Sequence, residues 1–253
     1  MHSKKIELQN LENTRDLAGI VNKDGYKVKE RKLIRSSSLM RASDNDLIKL
    51  HDEYGVKTIV DFRSKQEIME SPDKLIGKQK LYVNTILKER AAGITHDKQS
   101  EKEIEIWEHQ NPSPETAKNG MIRFYRQMAQ DYSTVAYRNF LQHVLTNEET
   151  ILWHCAVGKD RCGIGTVLVL SALDVDRDII IEDYLYSNHC LHFNELKQEN
   201  AKYYTDWVHL DYIKEYFQEV NALYGTMDNY LQNYLGIGKE EKQILKDKYL
   251  QRI

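Results

Sequence analysis

Trp153-His154-Cys155-Ala156-Val157-Gly158-Lys159-Asp160-Arg161-Cys162-Gly163-Ile164-Gly165 is the stretch that decides the fold. It opens on the end of a short apolar run, Thr150-Ile151-Leu152-Trp153-His154, which reads as a strand. It closes into the apolar stretch 166–173, which reads as a helix. A cysteine leaves the strand, a short loop turns, and an arginine opens the helix. Such a turn points several backbone N–H groups inward and builds a nest for a tetrahedral anion. The same field favours the thiolate of a cysteine placed there. Arg161 follows Cys155 by six positions, and its planar fork can hold two phosphoryl oxygens in a way a lysine cannot. Cys155 is thus a candidate nucleophile. The bland alternative, a small buried hydrophobe, sits poorly beside Gly158, Lys159, Asp160 and Arg161.

Outward from this loop, Val56-Lys57-Thr58-Ile59-Val60-Asp61-Phe62 reads as an interior strand, rich in β-branched residues and bounded by Gly55 and Arg63-Ser64-Lys65. Ser43-Asp44-Asn45-Asp46 before Leu47-Ile48-Lys49-Leu50 predicts an N-capped helix ending at Gly55. Lys80-Leu81-Tyr82-Val83-Asn84 reads as a further strand. Ile122, Tyr125 and Met128, then Tyr137, Phe140, Leu141 and Val144, recur at helical spacing and predict helices that bury one face. Helices alternating with short apolar strands predict an α/β fold, a largely parallel central sheet flanked by helices. Residues 89–120 turn polar and read as a surface excursion, either a solvated loop or a lid insertion. From 177 to 253 a helical extension is expected, with tyrosines such as Tyr184, Tyr203, Tyr212, Tyr230 and Tyr234 packing it onto the core. Residues 1–253 are read as one domain.

A formal net charge of -3, from 36 Lys+Arg and 39 Asp+Glu, gives no reason to expect nucleic acid or an anionic membrane as a partner. Three cysteines, Cys155, Cys162 and Cys190, are too few for a disulfide framework and fit reduced thiols in a cytosol. Neither an apolar leader near Met1 nor a membrane span is evident, so a cytoplasmic protein is expected unless a signal peptide has been removed. The residues leave the oligomeric state open. They present no Cys/His zinc spacing and no cluster of magnesium-binding carboxylates, so no metal or other cofactor is expected. Two carboxylates are candidates for proton transfer, Asp160 in the loop and Asp61 at a strand's C-terminal end. Each also has a structural reading: Asp160 as a brace for Arg161, Asp61 as a partner of Arg63 or Arg15.

Cys-x5-Arg at a strand-to-helix turn is the signature of the protein tyrosine phosphatase superfamily. The longer string His-Cys-x-x-Gly-Lys-Asp-Arg, residues 154–161, resembles the bacterial tyrosine and dual-specificity phosphatases, a family that also includes enzymes acting on phosphoinositides. Asn13-Thr14-Arg15-Asp16-Leu17-Ala18-Gly19, Leu33-Ile34-Arg35-Ser36-Ser37, Val60-Asp61-Phe62-Arg63 and Asp183-Tyr184-Leu185-Tyr186-Ser187-Asn188 look like that family's recurring segments. The resemblance implies a protein tyrosine phosphatase-like fold and hydrolysis of phosphate monoesters through a phosphocysteine at Cys155. It implies that Asp160 is the general acid, with Asp61 assisting or orienting water, and that His154 steadies the loop. Ala156, Val157, Gly158 and Lys159 become candidate phosphate contacts, as does Arg63. The substrate is then a phosphorylated protein or a phosphoinositide, the latter favoured if Lys159 faces the pocket as a second cation.

Cys162 departs from that pattern, where a threonine usually follows the arginine and bonds the cysteine sulfur. A thiol is a weaker donor, which implies slower breakdown of the intermediate. Cys162 is otherwise a partner for an oxidised Cys155, or simply a small residue in a threonine-sized space. Other thiolate-loop chemistry, such as sulfur transfer or arsenate reduction, and a catalytically weak module that binds phosphorylated ligands are the competing readings.

Overall fold

The computed structural model describes residues 2–87, 114–192 and 205–253. Its strands are β1 (Lys4–Lys5), β2 (Arg15–Asp16), β3 (Tyr26–Val28), β4 (Leu33–Ser36), β5 (Val56–Asp61), β6 (Lys80–Val83), β7 (Thr150–His154) and β8 (Leu250–Arg252). The main sheet runs β1-β2-β4-β7-β5-β6. Pairing is parallel from β4 through β7 and β5 to β6, while β1 and β2 add an antiparallel edge. The fold is therefore α/β with a mostly parallel sheet, as the alternation of elements predicts. Successive residues of the central strands face opposite sides. Leu33, Val60, Ile151 and Trp153 join the larger core, and Ile34, Ile59 and Leu152 the smaller one. Both faces are thus covered, which is why apolar residues stand side by side in these strands, as in Ile59-Val60 and Ile151-Leu152-Trp153.

The helices are α1 (Asp44–Ile48), α2 (Lys65–Glu70), α3 (Pro114–Gln127), α4 (Asp131–Thr146), α5 (Arg161–Ala172), α6 (Arg177–Cys190), α7 (Leu210–Tyr224), α8 (Met227–Asn229) and α9 (Lys239–Tyr249). Ser43 starts α1 with a capping box closed by Asp46, and the helix continues as a π turn over Lys49–Glu53. Tyr125, Met128, Tyr137, Phe140, Leu141 and Val144 are fully buried, as their spacing requires. None of the helices among the described residues is long and apolar enough to cross a membrane.

At three places the structure adds to the sequence reading or departs from it. Leu33–Ser36, quoted above only for its resemblance, is a central strand. The polar stretch 89–120 lies outside the described residues up to 113, and from Pro114 it is the start of α3. The expected helical C-terminus ends instead in β8, which pairs with β3 and ties the chain end back to the N-terminal part. Leu250-Gln251-Arg252 is too short to announce a strand by its own periodicity.

Candidate active site

β4, β5 and β7 end at one level, with Ser36, His154 and Asp61 in register. The loops that follow these strands meet at the C-terminal edge of the parallel sheet, where open α/β folds place their ligands. Cys155 comes directly after β7 and is fully buried, and the loop ends where Arg161 begins α5.

Three loop carbonyls are tied to the surrounding protein. Ala156 O accepts from Ser38 N at 3.0 Å. Val157 O accepts from Asn13 Nδ2 at 3.3 Å, and Gly158 O from Asn13 Nδ2 at 2.9 Å and Arg35 NH2 at 2.7 Å. A trans peptide turns its N–H opposite to its C=O, and the described chain contains no cis peptide. The N–H groups of Val157, Gly158 and Lys159 therefore face away from these partners, toward the inside of the loop. Gly158 makes the turn with φ +76, and a Cβ there would meet Ser36 O at 2.4 Å. Both the backbone and the space demand glycine. Arg35 and Arg15 are themselves buried and share Asp183, at 3.3 and 3.4 Å. The charges of the resembling segments thus form a platform under the loop.

Arg161 is fully buried, its NH1 and NH2 donating to Glu67 at 2.7 and 2.8 Å. Its Nε has no hydrogen-bond partner. Two of its five N–H groups hold the fork in place and the others remain for an anion. Glu67 escaped the sequence reading, although Ser64-x-x-Glu67 is a legible capping box and does cap α2. Burial alone would raise the Glu67 carboxyl, but the charge and hydrogen bonds of Arg161, then those of Ser64, overcome this and hold it at about 2. Because that value lies below the ordinary glutamate value of about 4.3, the pair stabilises the fold fully above that pH. The contribution, on the order of 3 kcal/mol, is lost as pH falls through the window toward 2. Thermal melts from pH 5.5 down to pH 3 are expected to lower the native melting temperature more steeply than that of Glu67→Gln. Parallel curves for the two proteins would contradict this.

Asp160 is buried at the N-cap of α5, yet its side chain makes no cap hydrogen bond. Oδ1 accepts from Tyr125 OH at 2.6 Å, and Oδ2 has no hydrogen bond, with Lys159 Nζ 3.7 Å away. No hydrogen bond joins Asp160 to Arg161, though its charge acts on the guanidinium. Asp61 is also buried, but its carboxylate is taken by Arg63, through N at 2.9 Å, Nε at 3.0 Å and NH2 at 2.8 Å. Arg63 also reaches Asp73 at 3.0 Å and donates to Ser71 O at 2.7 Å. His154 Nδ1 lies 3.1 Å from Cys155 O and 3.8 Å from Asp61, and its Nε2 is 2.8 Å from Asp73 Oδ2 without hydrogen-bond alignment. Burial pulls the His154 pKa down, but Asp73 and Asp61 outweigh it and raise it. Among the described residues, Asp61, Asp73 and His154 bring possible metal-ligand atoms within 4.8 Å of one another. Arg63 pairs with both carboxylates and His154 lies against them, so the group reads as a polar network under the loop.

Lys159 is buried, and its ammonium donates to Thr205 O. Cys162 donates its thiol to Trp153 O at 3.5 Å, and burial pushes that thiol up to about 12. Cys190 ends α6, buried. A cleft of about 210 Å³ opens beside the loop, lined by Ala156 and Val157 with Arg63, Glu67, Ser37 and Arg41 among others.

The model of the tyrosine phosphatase family matches residues 6–251, nearly the whole chain. The chain belongs to the tyrosine phosphatase family. Among its relatives is a Cupriavidus necator protein named "Putative tyrosine-protein phosphatase H16_A0669", 26% identical over 251 residues, covering 92% of this chain and 84% of that protein. The "Triple specificity protein phosphatase PtpB" of Mycobacterium tuberculosis is 27% identical over 194 residues, 72% of this chain and 68% of that protein. Family membership makes the chain a protein-tyrosine phosphatase acting on phosphorylated substrate.

Proposed function

We propose that this phosphatase hydrolyses phosphate monoesters through a phosphocysteine at Cys155. The observation that carries the reading is the loop itself: carbonyls tied outward, N–H groups turned inward around a buried cysteine, and the unpartnered Nε of a guanidinium held by Glu67. In the first step the Cys155 thiolate attacks phosphorus, an S–P bond forms, and the P–O bond to the leaving group breaks. The leaving oxygen takes a proton from Asp160. In the second step water attacks the phosphocysteine, gives a proton to Asp160, and the S–P bond breaks to release phosphate and the thiolate. Arg161 and the inward N–H groups carry the charge of both transition states. Asp160 suits the proton transfer better than Asp61, since it keeps an oxygen without a hydrogen bond while Asp61 is committed to Arg63.

Cys155 is buried next to Ala156 and Val157, which line the cleft; a buried nucleophile favours an ester whose phosphate stands far from the peptide backbone, and phosphotyrosine is the substrate we infer. Lys159, on which a preference for multiply phosphorylated lipids rested, has its ammonium engaged by Thr205 O. The test is rapid acid quench of the protein turning over a phosphotyrosine peptide in EDTA, followed by peptide mapping. Phosphate on the Cys155 fragment is the expected result. Sustained turnover with no labelled cysteine fragment would remove the covalent route, and binding without turnover would favour a phospho-ligand module.

A further inference from the structure

Aspartate is among the best N-cap residues, and giving up a cap costs about 1 kcal/mol. Asp160 occupies the N-cap of α5 and does not cap it. Its carboxylate is turned instead toward α3, where Tyr125 OH donates to Oδ1 at 2.6 Å. Tyr125 OH in turn accepts from Tyr184 OH of α6 at 2.7 Å. Both tyrosines are buried, and Tyr125 lies between the rings of Tyr184 and Tyr212, with centroids 6.2 and 5.4 Å away. Gly163, in the first turn of α5, leaves the space: a Cβ there would stand 3.3 Å from the Tyr184 ring. A relay of two hydroxyls, one from α6 and one from α3, therefore ends on one oxygen of the carboxylate at the start of α5. The other oxygen, Oδ2, is buried and without a hydrogen bond.

We propose that Tyr125, held by Tyr184, is a positioning residue that occupies Oδ1 of Asp160 and thereby leaves Oδ2 as the oxygen that gives and takes the proton. The inference rests on the reading of Asp160 as general acid. A phenol has one proton. With Tyr184 donating into Tyr125, that proton goes to Oδ1, so the acid form of Asp160 carries its own proton on Oδ2. The hydroxyl pair fixes both the orientation of the carboxyl and the identity of its reactive oxygen.

The test compares native protein, Tyr125→Phe, Tyr184→Phe and Asp160→Asn on two aryl esters. Phenyl phosphate has a leaving group about as basic as tyrosinate, near 10, and depends on protonation. The leaving group of 4-nitrophenyl phosphate is a much weaker base and depends on it less. In kcat/KM, which covers P–O cleavage, Tyr125→Phe is expected to lose about 10-fold more on phenyl phosphate than on the nitro ester, a fraction of the 10²–10⁴ that general acid catalysis supplies. Tyr184→Phe should show the same bias more weakly, and it carries the test if Tyr125→Phe does not fold. Equal losses on both esters, in whichever tyrosine variant folds, would reduce the tyrosines to packing and overturn the proposal. Asp160→Asn separates the two levels. If it shows no leaving-group bias, the general-acid reading fails and takes this inference with it; if it shows a steep bias that the tyrosine variants lack, only the positioning claim falls.

Discussion

Cys155→Ser is expected to abolish turnover, by on the order of 10⁴-fold or more, while leaving phosphotyrosine-peptide binding largely in place. A serine hydroxyl in the same loop is un-ionised at neutral pH and is a poorer nucleophile than a thiolate. Its phosphate ester would also part less readily in the second step. The substitution is nearly isosteric at a fully buried site, so the loop that binds the phosphate should survive it. Its carbonyl ties to Asn13, Arg35 and Ser38 do not involve the sulfur. Hydrolysis assays paired with calorimetric titration of a phosphotyrosine peptide check both halves. Retention of more than a few per cent of native kcat would mean that Cys155 is not the nucleophile. Loss of binding together with turnover would mean that the loop had collapsed, and the charge of the sulfur would then be part of what holds it open.

The loop could be read from the sequence because its chemistry is local. Cysteine, glycine and arginine stand within seven positions of one another, and a strand and a helix flank them. What surrounds the loop is assembled from residues far apart in the chain. Glu67 is 94 positions from the Arg161 it holds, and its capping box gives the helix start but not the second partner. Tyr125 and Tyr184 obey the helical period and are as buried as that period demands. Periodicity reports only which face a residue occupies, so the path of their hydroxyl protons to Asp160 had no signature. Arg15 and Arg35 run against the rule that charges stay outside; only the fold brings Asp183 between them. Asp61 left two partners open in the sequence, and proximity in the chain chose Arg63, whose N–H begins the turn that Asp61 also accepts. The fold class was legible for the opposite reason. β5 and β7 are covered on both faces, and a strand covered on both faces places apolar residues next to one another, as in Ile59-Val60 and Ile151-Leu152-Trp153.

Arg161→Lys should cost on the order of 10³-fold in kcat/KM on a phosphotyrosine peptide, the scale set by removing an organised donor from a developing anion. Lysine keeps the positive charge, so a purely Coulombic role for Arg161 would predict a small effect. The geometry argues otherwise. NH1 and NH2 reach both oxygens of Glu67 at 2.7 and 2.8 Å while Nε stays unpartnered, so one planar group is anchored on one side and offers N–H on the other. An ammonium is a single point that either sits on Glu67 or turns to the phosphate. In the first case it leaves the transition state unsupported, and in the second it leaves a buried carboxylate unpaired. Glu67→Gln tests the same logic from the other end. It keeps an acceptor for one arm of the fork and removes the charge that pins it, so a loss of about 10-fold is expected, carried by kcat more than by KM. If Arg161→Lys and Glu67→Gln lose activity equally and modestly, the anchored fork is not what stabilises the transition state, and the inward N–H groups of residues 157–159 must carry the charge instead.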